Sequence, residues 1–386
     1  MDTPFIYNTY VTGKNFIGRK TECNTLSNLL GRKENVAIYE PPKSGKRSLI
    51  QQTLFNMRIS GKQFSACQVN LFNIRSIGMF LTRFGSAVVR SCFSTPSEYE
   101  DAVGRLLEGT HFVFDKDRFA RIDEVVSLNW EYDADDIYAV LSLPYRISAE
   151  RDMRIFIIIE EFQNLMHDSR YEDVFRILKQ VMEENRSSAE GQGCSFILSG
   201  SRVNAMKYIF DEYKYFHRTV EHLPLKNIDQ RDIIEHIMRG FQYSGKVIEQ
   251  DMILGACKLF RGNMWYLNHF VSICDSMTKG YINEGMLMEA LRVLISVHEP
   301  RFTRIMDSLT DHQISLLKAI MEGVTKFSAT DVIEKYALNS SANVRRVKDA
   351  LKKKEIITFS DRDEPMVLDP LFEYWLGKFY FEIPGL

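Results

Sequence analysis

The chain predicts an α/β fold: a parallel sheet flanked by helices, then a helical section, then a smaller helix-rich unit closed by a strand pair. Three observations lead there. Short β-leaning runs such as NVAIYE (35–40) and IFIII (155–159) alternate with helical spacing in the first part of the chain. From about residue 224 the apolar residues recur every three to four positions, as in DQRDIIEHIMRGFQYSG and NEGMLMEALRVLISV. Near the carboxyl end, the runs IITFS and MVLDP flank the charged turn DRDE, which reads as a hairpin.

The bulk numbers bound the function. With 386 residues the chain has room for two or three self-supporting cores. It is 45% apolar and 26% charged, ordinary for a globular protein. Lys and Arg total 49 against 51 Asp and Glu, a formal charge of -2, so there is no global basic field for nucleic acid. Six scattered cysteines form no CxxC pair and have no histidine at ligand spacing, so they read as buried thiols of a reducing compartment. The start MDTPFIYNTY lacks a cationic stretch followed by an apolar run, and IFIII is too short to span a bilayer. A cytoplasmic protein without a membrane segment is the expectation.

The chemistry starts at EPPKSGKRSL (40–49). A strand, a tight turn and a helix (RSLIQQTLFNM, 47–57) follow one another there, the context that a GxxxxGK[ST] phosphate loop needs. Backbone amides at a helix start favour phosphate, and a lysine in the loop reaches its terminal oxygens. The candidate binding residues are Pro42, Lys43, Ser44, Gly45, Lys46, Arg47 and Ser48. Two positions depart from the pattern. Glu40 stands where the first glycine belongs, and a carboxylate facing phosphate would repel it, so it is expected to point away. Arg47 replaces the hydroxyl residue that would hold Mg²⁺, and Ser48 lies about 100° further round the helix. A guanidinium there can restore part of the missing positive charge, which favours binding over metal-assisted transfer.

Two acids, Glu160 and Glu161, end the run Ile155 to Ile159, whose β-branched residues suit a strand buried on both faces. In P-loop ATPases with an additional strand, the first acid of such a pair holds the metal's water shell and the second polarises the attacking water. Glu160 would take the first role, weakly and indirectly toward Mg²⁺ because of its extra methylene, and Glu161 the second. Two acids capping a strand is the plainer reading. A third strand-like run, SFIL in GCSFILSGSRVNAMKYIF (193–210), delivers Ser201 and Arg202 to its carboxyl end, where ligand groups converge in open α/β sheets. Ser201 would sense the γ-phosphate or the lytic water; ordinary turn chemistry is the alternative.

Taken in order, NFIGRKTECNTLSNLL (15–30), YEPPKSGKRSLI, QVNLFNIRS (68–76), IIIEEFQNL, FILSGSRVNAMKYIF and RGNMWYLNHF (261–270) resemble the motifs of the archaeal-type ATPase family, in the STAND and AAA+ division of P-loop NTPases. The resemblance implies a P-loop NTPase parallel sheet flanked by helices, an α-helical lid domain and a winged-helix domain. It implies an ATP or ADP ligand, and Arg19 of FIGRK on the adenine side of the site. It also implies a lid helix beginning at Gly262, with Arg261 near phosphate and Met264 where the family has proline. The expected divisions are 1–222 for the NTPase core with an insertion at 94–150, 223–300 for the lid, and 301–386 for the winged helix. The insertion reads either as helices covering the sheet or as a partner-binding segment.

In the last section LTDHQISLLKAIMEG, SATDVIEKYAL and SSANVRRVKDALKKKEI read as three helices, and the hairpin as the wing. Nine Lys and Arg against six Asp and Glu between 309 and 360 leave a modest basic surplus, gathered on the third helix. Arg345, Arg346 and Lys348 are the candidates for DNA contact there. A protein-contact role is the alternative. Two functions therefore stand: a nucleotide-dependent switch, a weak ATPase at most because its loop is degenerate, or a non-enzymatic DNA- or protein-binding module with a vestigial loop.

Overall fold

The computed structural model describes residues 4–186, 193–360 and 362–384. The chain divides into two compact units, each described by itself. One comprises Lys20–Glu40 and Gln52–Leu225, the other Met1–Arg19, Pro41–Gln51 and Lys226–Leu386.

The first unit is built on five parallel strands: β1 (Asn35–Tyr39), β2 (Ser65–Asn70), β3 (Ile155–Glu160), β4 (Cys194–Gly200) and β5 (Val220–His222). Their order in the sheet is β2-β3-β4-β1-β5. Every residue of β1, β3 and β4 is buried, which is why those sequences are near-continuous apolar runs with no polar alternation. β4 therefore separates the strand that ends at the acids from the strand that leads to the phosphate loop, the additional-strand arrangement. Register places Glu160 beside Asn70 on one side and Ser199 on the other, so the carboxyl ends of three strands are level.

Segment 94–150 packs as covering structure. Helices Pro96–Leu106 and Ala134–Arg151 put Ala102, Val103, Ile137, Val140 and Leu141 into the same core as Ile155, Ile157 and Phe196, and helix Lys116–Ile122 packs the partly buried Phe119 against it. Asp133 and Thr95 close capping boxes with Asp136 and Glu98, which is how short polar stretches start helices against a sheet.

The second unit is helical. Helices Gln230–Tyr243, Gln250–Leu259, Met264–Met277 and Glu284–Asp307 share one apolar core with the carboxyl-terminal elements. Pro300, the last residue of the expected lid division 223–300, lies inside the last of these helices. Helices Asp311–Met321, Thr330–Lys335 and Ser341–Lys353 follow, then the antiparallel pair Ile357–Phe359 and Pro365–Val367 and the helix Pro370–Trp375. This is the winged-helix arrangement; Asp361 of its expected turn lies outside the described residues. All six cysteines are free, five of them buried and Cys92 half-buried. Among the described residues no helix is long and apolar enough to cross a membrane.

Candidate nucleotide-binding loop

The loop is shaped by two residues in the left-handed region, Lys43 at φ 66° and Gly45 at φ 90°, after which the helix Lys46–Ile59 begins. Gly45 is suited to its place because an L side chain there is strained, and an added Cβ would lie 3.1 Å from Nη1 of Arg19. The Arg19 guanidinium thus lies over the glycine. It is carried there by a second left-handed pair, Gly18 at φ 61° and Arg19 at φ 54°. A Cβ at Gly18 would meet Ile228 Cγ2 at 2.7 Å, so glycine is required for that approach.

Lys46 closes the loop on itself: its ammonium donates to the Pro41 carbonyl at 2.9 Å and to Ser44 Oγ at 3.4 Å. A phosphate arriving on the loop amides competes with these neutral acceptors, and a charged acceptor makes the stronger hydrogen bond. Arg47 lies 4.9 Å over the ring of Tyr10, and the Ser48 hydroxyl accepts the backbone N–H of Val11 at 3.1 Å. Ser48, expected among the binding residues, is thereby engaged in anchoring the amino-terminal segment. Pro42 is exposed at the loop's tip. No acid occurs between Pro41 and Gln51, so the loop's own charged residues, Lys43, Lys46 and Arg47, are all positive, and Arg19 adds a fourth cation beside Gly45.

The Lys43 ammonium sits 3.3 Å from the centroid of the Trp265 ring and 5.6 Å from that of Tyr266. Much of the lysine is exposed, yet burial of its charged end, followed by the nearby Arg301, lowers its pKa to about 8, with Asp369 pulling the other way. Arg261, at the head of the lid motif, donates to the Val367 carbonyl and pairs with Glu373 at 3.2 Å. Met264, at the position where the resemblance implies proline, opens a helix that Asn263 caps by accepting from Trp265 and Tyr266.

In the first unit, the Glu40 carboxylate accepts the backbone N–H of Leu225 at 3.0 Å. Glu160 ends β3 with 8% exposure, its two oxygens taken by Gln68 Nε2 at 2.8 Å and Asn70 Nδ2 at 3.1 Å. Those amides are two residues apart on one face of β2, and the longer glutamate reaches both. Glu161 turns into the left-handed region at φ 57°, and its Oε2 accepts from Gln163 Nε2 at 2.7 Å and Ser201 Oγ at 2.6 Å. Gly200 makes this possible: a Cβ there would stand 2.5 Å from Gln163 Oε1 and from Met206.

The structure thus brings Glu161 and Ser201 together, and separately Arg19, Gly45 and Lys46. Sequence reasoning missed Gln68, Asn70, Gln163, Tyr10 and Trp265. Only the period-two spacing of Gln68 and Asn70 on a predicted strand offered a signal.

Residues 300–378 match the model of a probable winged helix domain. Among solved structures, a Walker-type ATPase of Pyrococcus abyssi superposes with a TM-score of 0.66 at 16% identity, covering 97% of this chain and 99% of that one. The chain shares the fold of a Walker-type ATPase. The Aeropyrum pernix ORC2 protein, solved as ADPNP–ADP complexes, superposes with a TM-score of 0.55 at 16% identity over 93% of each chain. No curated protein matches the sequence. The fold class expected from the sequence, a P-loop parallel sheet followed by helices and a winged helix, is the one found.

Proposed function

We propose that this chain binds an adenine nucleotide by its phosphates at residues 42–48 and acts as a nucleotide-dependent switch with weak or absent hydrolysis. The observation that carries the reading is the loop itself. Gly45 at φ 90° opens a helix amino-terminus, Lys46 folds onto the loop's own carbonyl, and Arg19 stands over the glycine. Four cations with no acid within the loop suit a polyphosphate. Each unit charge brought to about 4 Å of another is worth about 1 kcal/mol in water and about 4 kcal/mol near a protein surface.

Mg²⁺ does not fit the donor set at the loop. The residue after Lys46 is a guanidinium, and the Ser48 hydroxyl already accepts an amide. Binding is therefore expected without the metal, and turnover is expected to be poor. Glu161, held by Ser201 and Gln163, would need to leave both donors to act as a base. Calorimetry with ATP in EDTA and in Mg²⁺ tests the reading. The wild type should bind in both, and Lys46→Ala should weaken binding by about 1.5–3 kcal/mol, the worth of hydrogen bonds to a charged group. No heat with the wild type, or no loss with the variant, ends it.

A second reading has one observation behind it. The helix Ser341–Lys353 buries Val344, Val347 and Leu351 and leaves Arg345 and Arg346 exposed, as a groove-reading helix would. Lys348 is turned aside, 4.1 Å from the Phe359 ring and 3.4 Å from Asp363. Duplex affinity that falls with salt and is weakened by Arg345→Ala would support DNA contact; affinity flat across salt would count against it.

A further inference from the structure

We propose that Lys43 couples phosphate occupancy of the loop to the seating of the carboxyl-terminal helix Pro370–Trp375, through Trp265, Tyr266 and Asp369. The inference rests on the nucleotide reading above and deepens it.

Lys43 occupies a backbone conformation, φ 66°, that glycine adopts at least cost, so something other than the turn favours a side chain there. Its ammonium is the loop's contact with an aromatic cluster. The Trp265 ring lies beneath it, and Tyr7, Tyr266, His269 and His298 stand edge-on to that ring at 6.0, 5.0, 5.3 and 5.6 Å between centroids. Two of these rings are tuned to the lysine's charge. His269 Nδ1 and His298 Nε2 are buried without a partner, and burial together with Lys43 holds both imidazoles neutral.

From the cluster the connection runs on by hydrogen bonds. Tyr266, adjacent to Trp265, donates its hydroxyl to Asp369 with both carboxylate oxygens at 2.8 Å. Arg301 pairs with the same carboxylate and lies 3.2 Å from the Tyr266 hydroxyl. Asp369 in turn accepts the backbone N–H of Leu371 and Phe372, starting the helix Pro370–Trp375.

A polyphosphate on the loop presents full negative charge to an ammonium otherwise held by a ring face, and the stronger attraction draws Lys43 toward it. The indole then loses its cation, and a charge that disfavours protonation of His269 and His298 moves away from them. The packing that sets Tyr266 against Asp369 has to adjust. The same coupling works in reverse, since anything that loosens Asp369 changes the availability of Lys43 for phosphate.

The test is hydrogen exchange of the full chain with and without saturating ATP. It follows the loop amides 43–48 and, separately, the amides 371–376. In the wild type ATP should slow exchange at the loop and change it at 371–376. Tyr266→Phe keeps the ring and removes the link to Asp369; loop protection should persist while the response at 371–376 is lost. Lys43→Gly, which relieves the backbone, should lose that response at ATP concentrations that restore loop protection. Loop protection without a wild-type response at 371–376, or an undiminished response in both variants, overturns the coupling. Absence of loop protection in the wild type overturns the nucleotide reading, and the coupling with it.

Discussion

Replacing Asp369 by alanine removes three interactions at once, and their sum can be worked from the structure. The residue caps the helix Pro370–Trp375 by accepting the amides of Leu371 and Phe372, and loss of an N-cap costs about 1 kcal/mol. It accepts the hydroxyl of Tyr266, a residue 3% exposed, and a buried donor left without an acceptor costs about 1–3 kcal/mol. Its pair with the half-exposed Arg301 adds about 0.5 kcal/mol after solvent screening. The total is about 3 kcal/mol, discounted for shared partners. Native-state hydrogen exchange at 371–376 reads it locally, so no global two-state transition is needed. Exchange there should quicken by about 100-fold, since each factor of ten is about 1.4 kcal/mol. Asp369→Asn keeps a carbonyl oxygen for the cap and for Tyr266, and should quicken exchange far less. Equal effects of the two substitutions, or an alanine effect under about 1 kcal/mol, would show that Tyr266 is rehydrated on loss of its acceptor and that the linkage through Asp369 is weak.

Three further outcomes are expected. Gly200→Ala places a methyl 2.5 Å from Gln163 Oε1 and Met206, so denaturant unfolding should show a loss of about 1–3 kcal/mol from overpacking, with Glu161 displaced; an unchanged midpoint would refute the tight approach. His298 is held down to about 4 by burial and by Lys43, Arg301 and His269, against Asp369; the folded histidine stays neutral while the unfolded one titrates near its ordinary value. Stability should therefore fall as pH drops from about 6.5 toward 4, and His298→Phe should flatten that fall in denaturant midpoints taken at several pH values. Arg47→Thr restores a hydroxyl beside Lys46, so ATP turnover should rise and become dependent on Mg²⁺; no gain would place the limit at Glu40 or Glu160.

Much of the fold was legible in the sequence because local signals carry it. Ile155 to Ile159 is apolar on both faces and lies between two parallel neighbours, as such a run must. The helices after Asp229 follow their apolar spacing, and Ser340 caps the third winged-helix helix as a serine before a helical pattern should. The resemblance of several motifs in order led to the architecture that the solved ATPase shares. Segment 94–150 fits two readings because its acids and aromatics suit either; the inward faces of its helices lie in the sheet's core, which a linear pattern does not show.

The amino-acid sequence by itself determined the elements, their order, and the placing of a phosphate-type loop between a strand and a helix. Those depend on periodicity, turn residues and spacing, which act over a few residues. Only the tertiary structure decided where the side chains of the candidate sites go. It gave the Glu40 carboxylate to the Leu225 amide, the Ser48 hydroxyl to Val11, both oxygens of Glu160 to Gln68 and Asn70, Glu161 to Ser201, and Lys43 to the face of Trp265. Each of these pairs joins residues far apart in the chain. Their meeting depends on strand order, on left-handed turns at Lys43 and Glu161, and on the close approaches that Gly18 and Gly200 permit, none of which a linear pattern encodes.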